Sequence, residues 1–217
     1  MLRQPSRPLR VAFGHRKGGT SKTTCSVGLA LAMSRRFAYD TVYLIDADAT
    51  NDSVTAWARL AQEDWPQNLK VERWSHDSGE RLVDFVKRVV PNDVHLVIDT
   101  GPHAQDALAD AMRSADRFII PLRPSMMEVV SLYPTLQIAA TVHDEKPFDL
   151  AVLFAQVLGR TRIRREVREN LEEQVPVLTT EVPSAISYNE AFGTVPRNLG
   201  VFPDLLQELI DTEGDAK

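Results

Sequence analysis

The chain alternates short apolar or β-branched runs with longer stretches in which apolar residues recur every three or four positions. Runs of the first kind predict strands at 10–14, 41–46, 69–74, 94–99, 117–121 and 150–156. The longer stretches predict helices at 22–37, 53–62, 78–89, 105–115, 126–142, 162–173 and 203–212. Strand and helix taking turns in this way is the pattern of βα units, so the expected fold is α/β, with a mostly parallel sheet flanked by helices on both faces. No repeat, low-complexity tract or long linker interrupts the pattern. One domain over 1–217 is therefore expected, with 1–8 as a loose basic arm and 213–217 as a frayed acidic tail.

Composition narrows the function classes. The 217 residues, 43% of them hydrophobic, suffice for one core. The single cysteine, Cys25, excludes an internal disulfide and any iron–sulfur or zinc site built on several thiolates, which points to a reducing cytoplasm. The longest uncharged stretch, 129–143, falls short of the ~18 apolar residues of a membrane span and contains Pro134, so no membrane association is expected. The net charge of −5 argues against a basic nucleic-acid coat, but it conceals an asymmetry. Residues 1–39 hold eight basic side chains (Arg3, Arg7, Arg10, Arg16, Lys17, Lys22, Arg35, Arg36) and no acid, leaving 17 basic against 30 acidic in the remainder.

The strongest chemical signal lies between the first predicted strand and helix: His15-Arg16-Lys17-Gly18-Gly19-Thr20-Ser21-Lys22-Thr23-Thr24. A tight turn feeding a helix N-terminus points backbone N–H groups and the positive end of the helix dipole at one place, where an anion is stabilised. A lysine followed by threonine adds a point charge for phosphates and a hydroxyl for Mg2+. The strict pattern G-x-x-x-x-G-K-[ST] is not met, since its glycine positions hold Arg16 and Ser21. The segment instead resembles K-G-G-x-G-K-[ST]-[ST], the deviant Walker A loop of the ParA/MinD class of P-loop ATPases. Lys17, Gly18, Gly19, Lys22, Thr23 and Thr24 match, Thr20 fills the variable position, and Ser21 replaces the last glycine. Glycine-only backbone there would strain Ser21, but a small side chain in an allowed region costs little, so Ser21 is expected to be tolerated.

Two carboxylate motifs follow at strand ends. Tyr43-Leu44-Ile45-Asp46-Ala47-Asp48 resembles the D-x-D element of that class, and Leu96-Val97-Ile98-Asp99-Thr100-Gly101-Pro102 its Walker B element. Ligands of open α/β sheets sit beyond the carboxyl ends of strands, so convergence of the three motifs on one nucleotide is geometrically sensible. The resemblance implies ATP and Mg2+ as cofactors and the following roles. Gly18, Gly19, Thr20, Ser21, Lys22, Thr23 and Thr24 cradle the phosphates, Thr23 ligates the metal, and Asp99 holds it through water. Asp48 positions the attacking water, with Asp46 close to metal and water. Lys17 reaches across a nucleotide-sandwich homodimer to the partner's phosphates. Gln156, ending the strand at 150–156, takes the place of an adenine contact.

The resemblance runs from Val11 to about Leu209 and includes Ile119-Ile120-Pro121-Leu122-Arg123-Pro124-Ser125 and Ser187-Tyr188-Asn189-Glu190-Ala191-Phe192. Within the class, relatives that carry an iron–sulfur cluster need cysteines this chain lacks. Membrane-bound septum-site relatives end in a basic amphipathic helix, whereas the last helix here presents Asp204, Glu208 and Asp211 on its polar face and is expected to pack on the protein's own body. About ten residues precede the first strand, too few for the helix-turn-helix domain of the larger partition ATPases. What the resemblance then implies is a small ParA-type partition ATPase, cytoplasmic and nucleoid-associated, working with a ParB-like centromere-binding adaptor. The nonspecific DNA contact is expected at Arg160, Arg162, Arg164, Arg165 and Arg168, because phosphate-directed binding needs a basic face. A solvated helix face paired with Glu169, Glu172 and Glu173 is the alternative for these arginines. Two other functions stay open: a ParA-like positioning ATPase for another cargo, and an ATP-dependent ligase of the dethiobiotin-synthetase kind.

Overall fold

The computed structural model describes residues 4–48, 50–102, 104–159 and 161–212; the first three residues of the expected arm, the expected tail at 213–217, and Arg160 lie outside the described residues. Seven strands form one sheet: β1 (Arg10–Phe13), β2 (Val42–Ala47), β3 (Leu69–Arg73), β4 (His95–Thr100), β5 (Arg117–Leu122), β6 (Asp149–Val157) and β7 (Val177–Pro183). Their order is β3-β2-β4-β1-β5-β6-β7, and every neighbouring pair is parallel. The connecting helices are α1 (Lys22–Arg36), α2 (Ser53–Ala61), α3 (Leu82–Val89), α4 (Gln105–Ser114), α5 (Met126–Glu145), α6 (Arg162–Glu172), α7 (Ile186–Glu190) and α8 (Phe202–Asp211). Among the described residues no helix is long and apolar enough to cross a membrane.

Because successive strand residues face opposite sides, the central strand serves two cores. Val11 and Phe13 join Leu29, Met33, Val54 and Leu205 on the α1/α2/α8 side. Ala12 joins Leu82, Leu108, Leu132 and Val167 on the α3–α6 side. Covering both faces lets the parallel sheet satisfy its backbone internally and bury near-continuous apolar strands.

The expected strands and helices are found to within a few residues, with two corrections. The helix expected from residue 78 begins at Leu82, because Gly79 is left-handed (φ 71°) and closes a separate turn over His76–Ser78. The last strand, β7, and the short α7 were not expected. As the sheet's edge, β7 mixes buried Leu178 and Val182 with polar Thr179, Thr180 and Glu181. The Glu208 carboxylate of α8 accepts hydrogen bonds from the backbone N–H groups of Thr179 (2.6 Å) and Thr180 (2.9 Å). Arg168 Nη2 donates to the carbonyl of Leu178 (3.0 Å) while its guanidinium lies 4.9 Å above the Phe154 ring.

The last helix packs on the body as its charge pattern implied. Phe202, Leu205, Leu206, Leu209 and Ile210 are all buried, and Phe202 lies on Gly28 of α1. A β-carbon at Gly28 would stand 2.2–2.5 Å from the Phe202 ring, so only glycine permits this helix–helix approach. Gly28→Ala is expected to cost about 1–3 kcal/mol through overpacking, at roughly 2–4 °C of Tm per kcal/mol for a chain of this size. Thermal unfolding of the variant beside the parent protein measures it.

Candidate functional site

The site lies at the carboxyl ends of β1, β2 and β4. Register alone brings its acids together, since Asp99 of β4 is the Cα partner of both Phe13 of β1 and Asp46 of β2. In-register residues of parallel neighbours point to the same side, so the two carboxylates lie side by side, both wholly buried. Thr23 Oγ1 donates to Asp99 Oδ2 (2.7 Å) and Ser26 Oγ to Asp99 Oδ1 (2.9 Å). Burial nevertheless dominates and pushes the Asp99 carboxyl up to about 7, with the neighbouring Asp46 adding to the rise. Asp46 Oδ2 accepts from Thr55 N–H (2.9 Å) and Thr55 Oγ1 (2.8 Å), and burial raises its pKa too.

Asp48 is the residue immediately after β2. Its Oδ1 accepts from Thr50 N–H (3.0 Å), Thr50 Oγ1 (2.7 Å) and Asn51 N–H (3.2 Å), a side-chain turn that fixes the carboxylate's direction. The opposite wall is Gly101, where a β-carbon would stand 2.5 Å from Asp48 Oδ1. The glycine of the Asp-Thr-Gly-Pro motif thus makes room for the other aspartate.

Residues 14–21 wrap the N-terminus of α1. No side chain caps this helix, and its first turn holds Lys22, Thr23 and Thr24 with no acid. Such a turn offers unshared N–H groups and positive charge to an anion. Lys22 is buried, which lowers its pKa against the pull of Asp99 and Asp48, and its Nζ donates to the Lys17 carbonyl (2.9 Å). Ser21 sits at φ 67°, ψ 24°, in the left-handed region that favours glycine. The expectation of an undemanding backbone at this position is therefore corrected: the loop does require the conformation that the family's glycine supplies. Gln156 reaches the loop from the end of β6, donating to Gly19 O (3.0 Å) and Ser21 Oγ (2.8 Å), and its Oε1 accepts from Arg123.

Lys17 and Lys22 part company. Lys17 Nζ turns away from the carboxylate pair to Glu128 Oε1 (2.6 Å) at the start of α5. Its side chain keeps 38% of its surface exposed, against 9% for Glu128. Sequence reasoning missed Glu128, which lies 111 residues from Lys17. Its signal was Ser125-x-x-Glu128, which reads as a helix start, and Ser125 does cap α5 by accepting from Glu128 N–H. In a capping box the glutamate folds back on the cap; here it serves the loop lysine.

Of the expected DNA-contact arginines, Arg160 lies outside the described residues. Arg164 and Arg168 turn inward onto Glu181 of β7 (3.1 and 2.9 Å), and Arg168 also meets Glu172 (3.2 Å). Arg162 pairs with Glu166 (2.6 Å) and Arg165 lies 3.8 Å from Glu169. These two stay 83% and 73% exposed, against 25% and 22% for Arg164 and Arg168.

His15, the first residue of the loop motif, is wholly buried, and its Nδ1 accepts from Lys17 N–H (2.8 Å). Burial, helped by the positive charge of Lys22 and Lys17, holds its pKa down at about 4. The ring is therefore neutral in the folded chain at pH 7. Between its unfolded value of 6.5 and about 4 the unfolded chain binds a proton that the folded chain refuses. Stability from this group is complete above pH 6.5 and is lost as pH falls towards 4, by an amount on the order of 3 kcal/mol. His15→Asn keeps an acceptor for Lys17 N–H but cannot titrate, so denaturation midpoints measured at pH 7.5 and 5 are expected to lie closer together in the variant than in the parent.

Comparison with known proteins extends the picture. No family model matches the chain. Maintenance of carboxysome distribution protein A of Gloeobacter kilaueensis is 30% identical over 132 residues, 60% of this chain and 56% of that protein. Protein ParA of Rhizobium radiobacter is 25% identical over 147 residues, 68% of this chain and 62% of that protein. The chain thus spans a little over half the length of these curated relatives. Among solved structures, a protein of Borrelia burgdorferi B31 described as a plasmid partition protein, with AMPPNP bound, superposes with a TM-score of 0.73 at 16% identity over 97% of this chain and 100% of the other. The resemblance read from the loop and the two aspartate motifs thus holds in sequence and in fold: this chain is similar to the ParA/MinD-type P-loop ATPases.

Proposed function

We propose that the chain is an ATP-hydrolysing partition switch, which dimerises on ATP, binds nonspecific DNA in that state, and is reset by hydrolysis. The observation that carries this reading is the second lysine of the loop. Lys22 accounts for the charge an ordinary phosphate loop needs, whereas Lys17 stands apart, half-exposed beside α5, where a second copy's phosphates could be reached. Exposed Met126, Met127, Val130 and Tyr133 on α5 supply an apolar surface next to it.

Magnesium fits the residues present. Asp46 Oδ1 is buried without a hydrogen-bond partner, and it belongs to a carboxylate pair whose mutual repulsion a cation relieves. Thr23 and Asp99 would hold the ion, with Asp46 nearby. Among the described residues no group of three or more His, Cys, Asp or Glu side chains forms a metal cage, which suits an ion that keeps water and phosphate oxygens as ligands. Bound there, Mg2+ neutralises phosphate charge. The protein's share is positioning: loop N–H groups and Lys22 hold the phosphates, and Asp48, whose Oδ1 is steadied by Thr50 and Asn51, orients a water with its other carboxylate oxygen.

DNA contact falls first to Arg162 and Arg165, the more exposed of the cluster, with Arg164 and Arg168 needing release from Glu181 before they join. A ParB-like adaptor would link the switch to its cargo. The 30% identity to a carboxysome-distribution protein favours a second reading of the cargo, a protein body instead of a plasmid.

Sedimentation with nonspecific DNA in ATP, ADP or no nucleotide tests the switch: binding is expected with ATP alone, and equal binding in all three overturns it. Asp48→Ala is expected to keep ATP and dimerise while phosphate release slows on the order of 10²-fold or more. Unchanged turnover would remove Asp48 from its role.

A further inference from the structure

Among the described residues three that are not glycine have positive φ, and two of them, Ser21 (67°) and Gln156 (55°), touch each other. Such backbone is costly for an L-residue and persists where the surroundings over-determine it. The register between β6 and β7 shifts twice, and the second shift, between Ala155 and Val157, falls on Gln156. That irregularity brings its carboxamide to the phosphate loop.

A carboxamide has two N–H donors and one oxygen with two lone pairs. In Gln156 both donors are engaged, on Gly19 O (3.0 Å) and Ser21 Oγ (2.8 Å). The oxygen accepts twice from one guanidinium, from Arg123 Nε (3.1 Å) and from Arg123 Nη2. Nothing is left over for a nucleobase edge. The grip on the Gly19 carbonyl and the Ser21 hydroxyl engages none of the loop's N–H groups, which are the donors an anion at a helix N-terminus meets.

Taking the loop as a nucleotide phosphate site, as proposed above, we infer that Arg123 and Gln156 form a clamp that holds the loop in its left-handed turn in the absence of the usual glycine, and that Gln156 is a positioning residue for the polyphosphate and not a reader of the base. The clamp acts on what every nucleoside triphosphate shares. Its ligand chemistry is therefore a polyphosphate, and removing it lowers affinity without changing the preference between bases.

The test measures binding of ATP, GTP and inorganic tripolyphosphate to the full chain by calorimetry. Gln156→Ala is expected to weaken all three by the same factor, about tenfold for the lost hydrogen bonds. Arg123→Ala, at an exposed position, is expected to give a smaller loss of the same pattern. Ser21→Gly provides the decisive control, because glycine adopts φ 67° unaided. In the double variant Ser21→Gly/Gln156→Ala the affinity lost in Gln156→Ala is expected to return. The inference is overturned if Gln156→Ala weakens ATP but leaves tripolyphosphate unchanged, if it weakens none of the three, or if the double variant binds no better than Gln156→Ala. Failure of the unaltered protein to bind either ATP or tripolyphosphate would instead overturn the phosphate-site reading itself.

Discussion

Two carboxylates buried side by side set the terms for the rest of this molecule. Asp46 and Asp99 are in register on neighbouring strands and out of reach of solvent, an arrangement that stands only with protons, hydroxyl donors or positive charge around it. The surroundings provide each. Hydroxyls of Thr23, Ser26 and Thr55 donate into the pair, Lys22 lies close enough to lower the pKa of Asp99, and the Asp99 carboxyl is lifted towards neutrality. The strand order makes the pairing possible: β4 lies between β1 and β2, so the loop that leaves β1 arrives beside both acids. A different winding of the same segments would scatter the three motifs along the sheet edge.

The two loop lysines show how burial divides labour between identical side chains. Lys22 is enclosed and hydrogen-bonded to backbone, fixed where a phosphate would meet it. Among the described residues Lys17 has a single acidic partner, and a good part of its surface lies in water. Glu128 itself is nearly buried, with Oε2 lacking a hydrogen-bond partner, so the pair is half protected and half open. A contact of that kind holds a side chain in place and also allows it to leave, as the role proposed for Lys17 between assembly states requires.

Much of this was legible in the chain. Six strands and seven helices follow from periodicity, and the phosphate loop from its position between a strand and a helix. Asp46, Asp48 and Asp99 follow from strand-end motifs, because those features are local. What was not legible depends on contacts between distant segments. Glu128 reads as an ordinary helix-start residue until α5 is placed beside the loop. The direction of Gln156 depends on one backbone angle, which no side-chain pattern announces. The arginines of α6 were visible as charge, but the main partner of Arg164 and Arg168, Glu181, lies on β7, the strand whose interleaved threonines disguised it. Missing the strand and missing the inward turn of those arginines were therefore one error.

The outer strands carry a further consequence. Unpaired N–H and C=O groups along a sheet edge invite another strand to add, the usual route to fibrous association. On β7 the exposed donors of Thr179 and Thr180 are already held by Glu208, the Leu178 carbonyl is taken by Arg168, and Pro183 ends the row. On β3 the charged side chains Lys70, Glu72 and Arg73 line the opposite edge. Both margins of the sheet thus carry features that disfavour strand addition. A filament or higher assembly of this protein is therefore expected to be built through its helical and loop surfaces, not as a sheet continuous from one copy to the next.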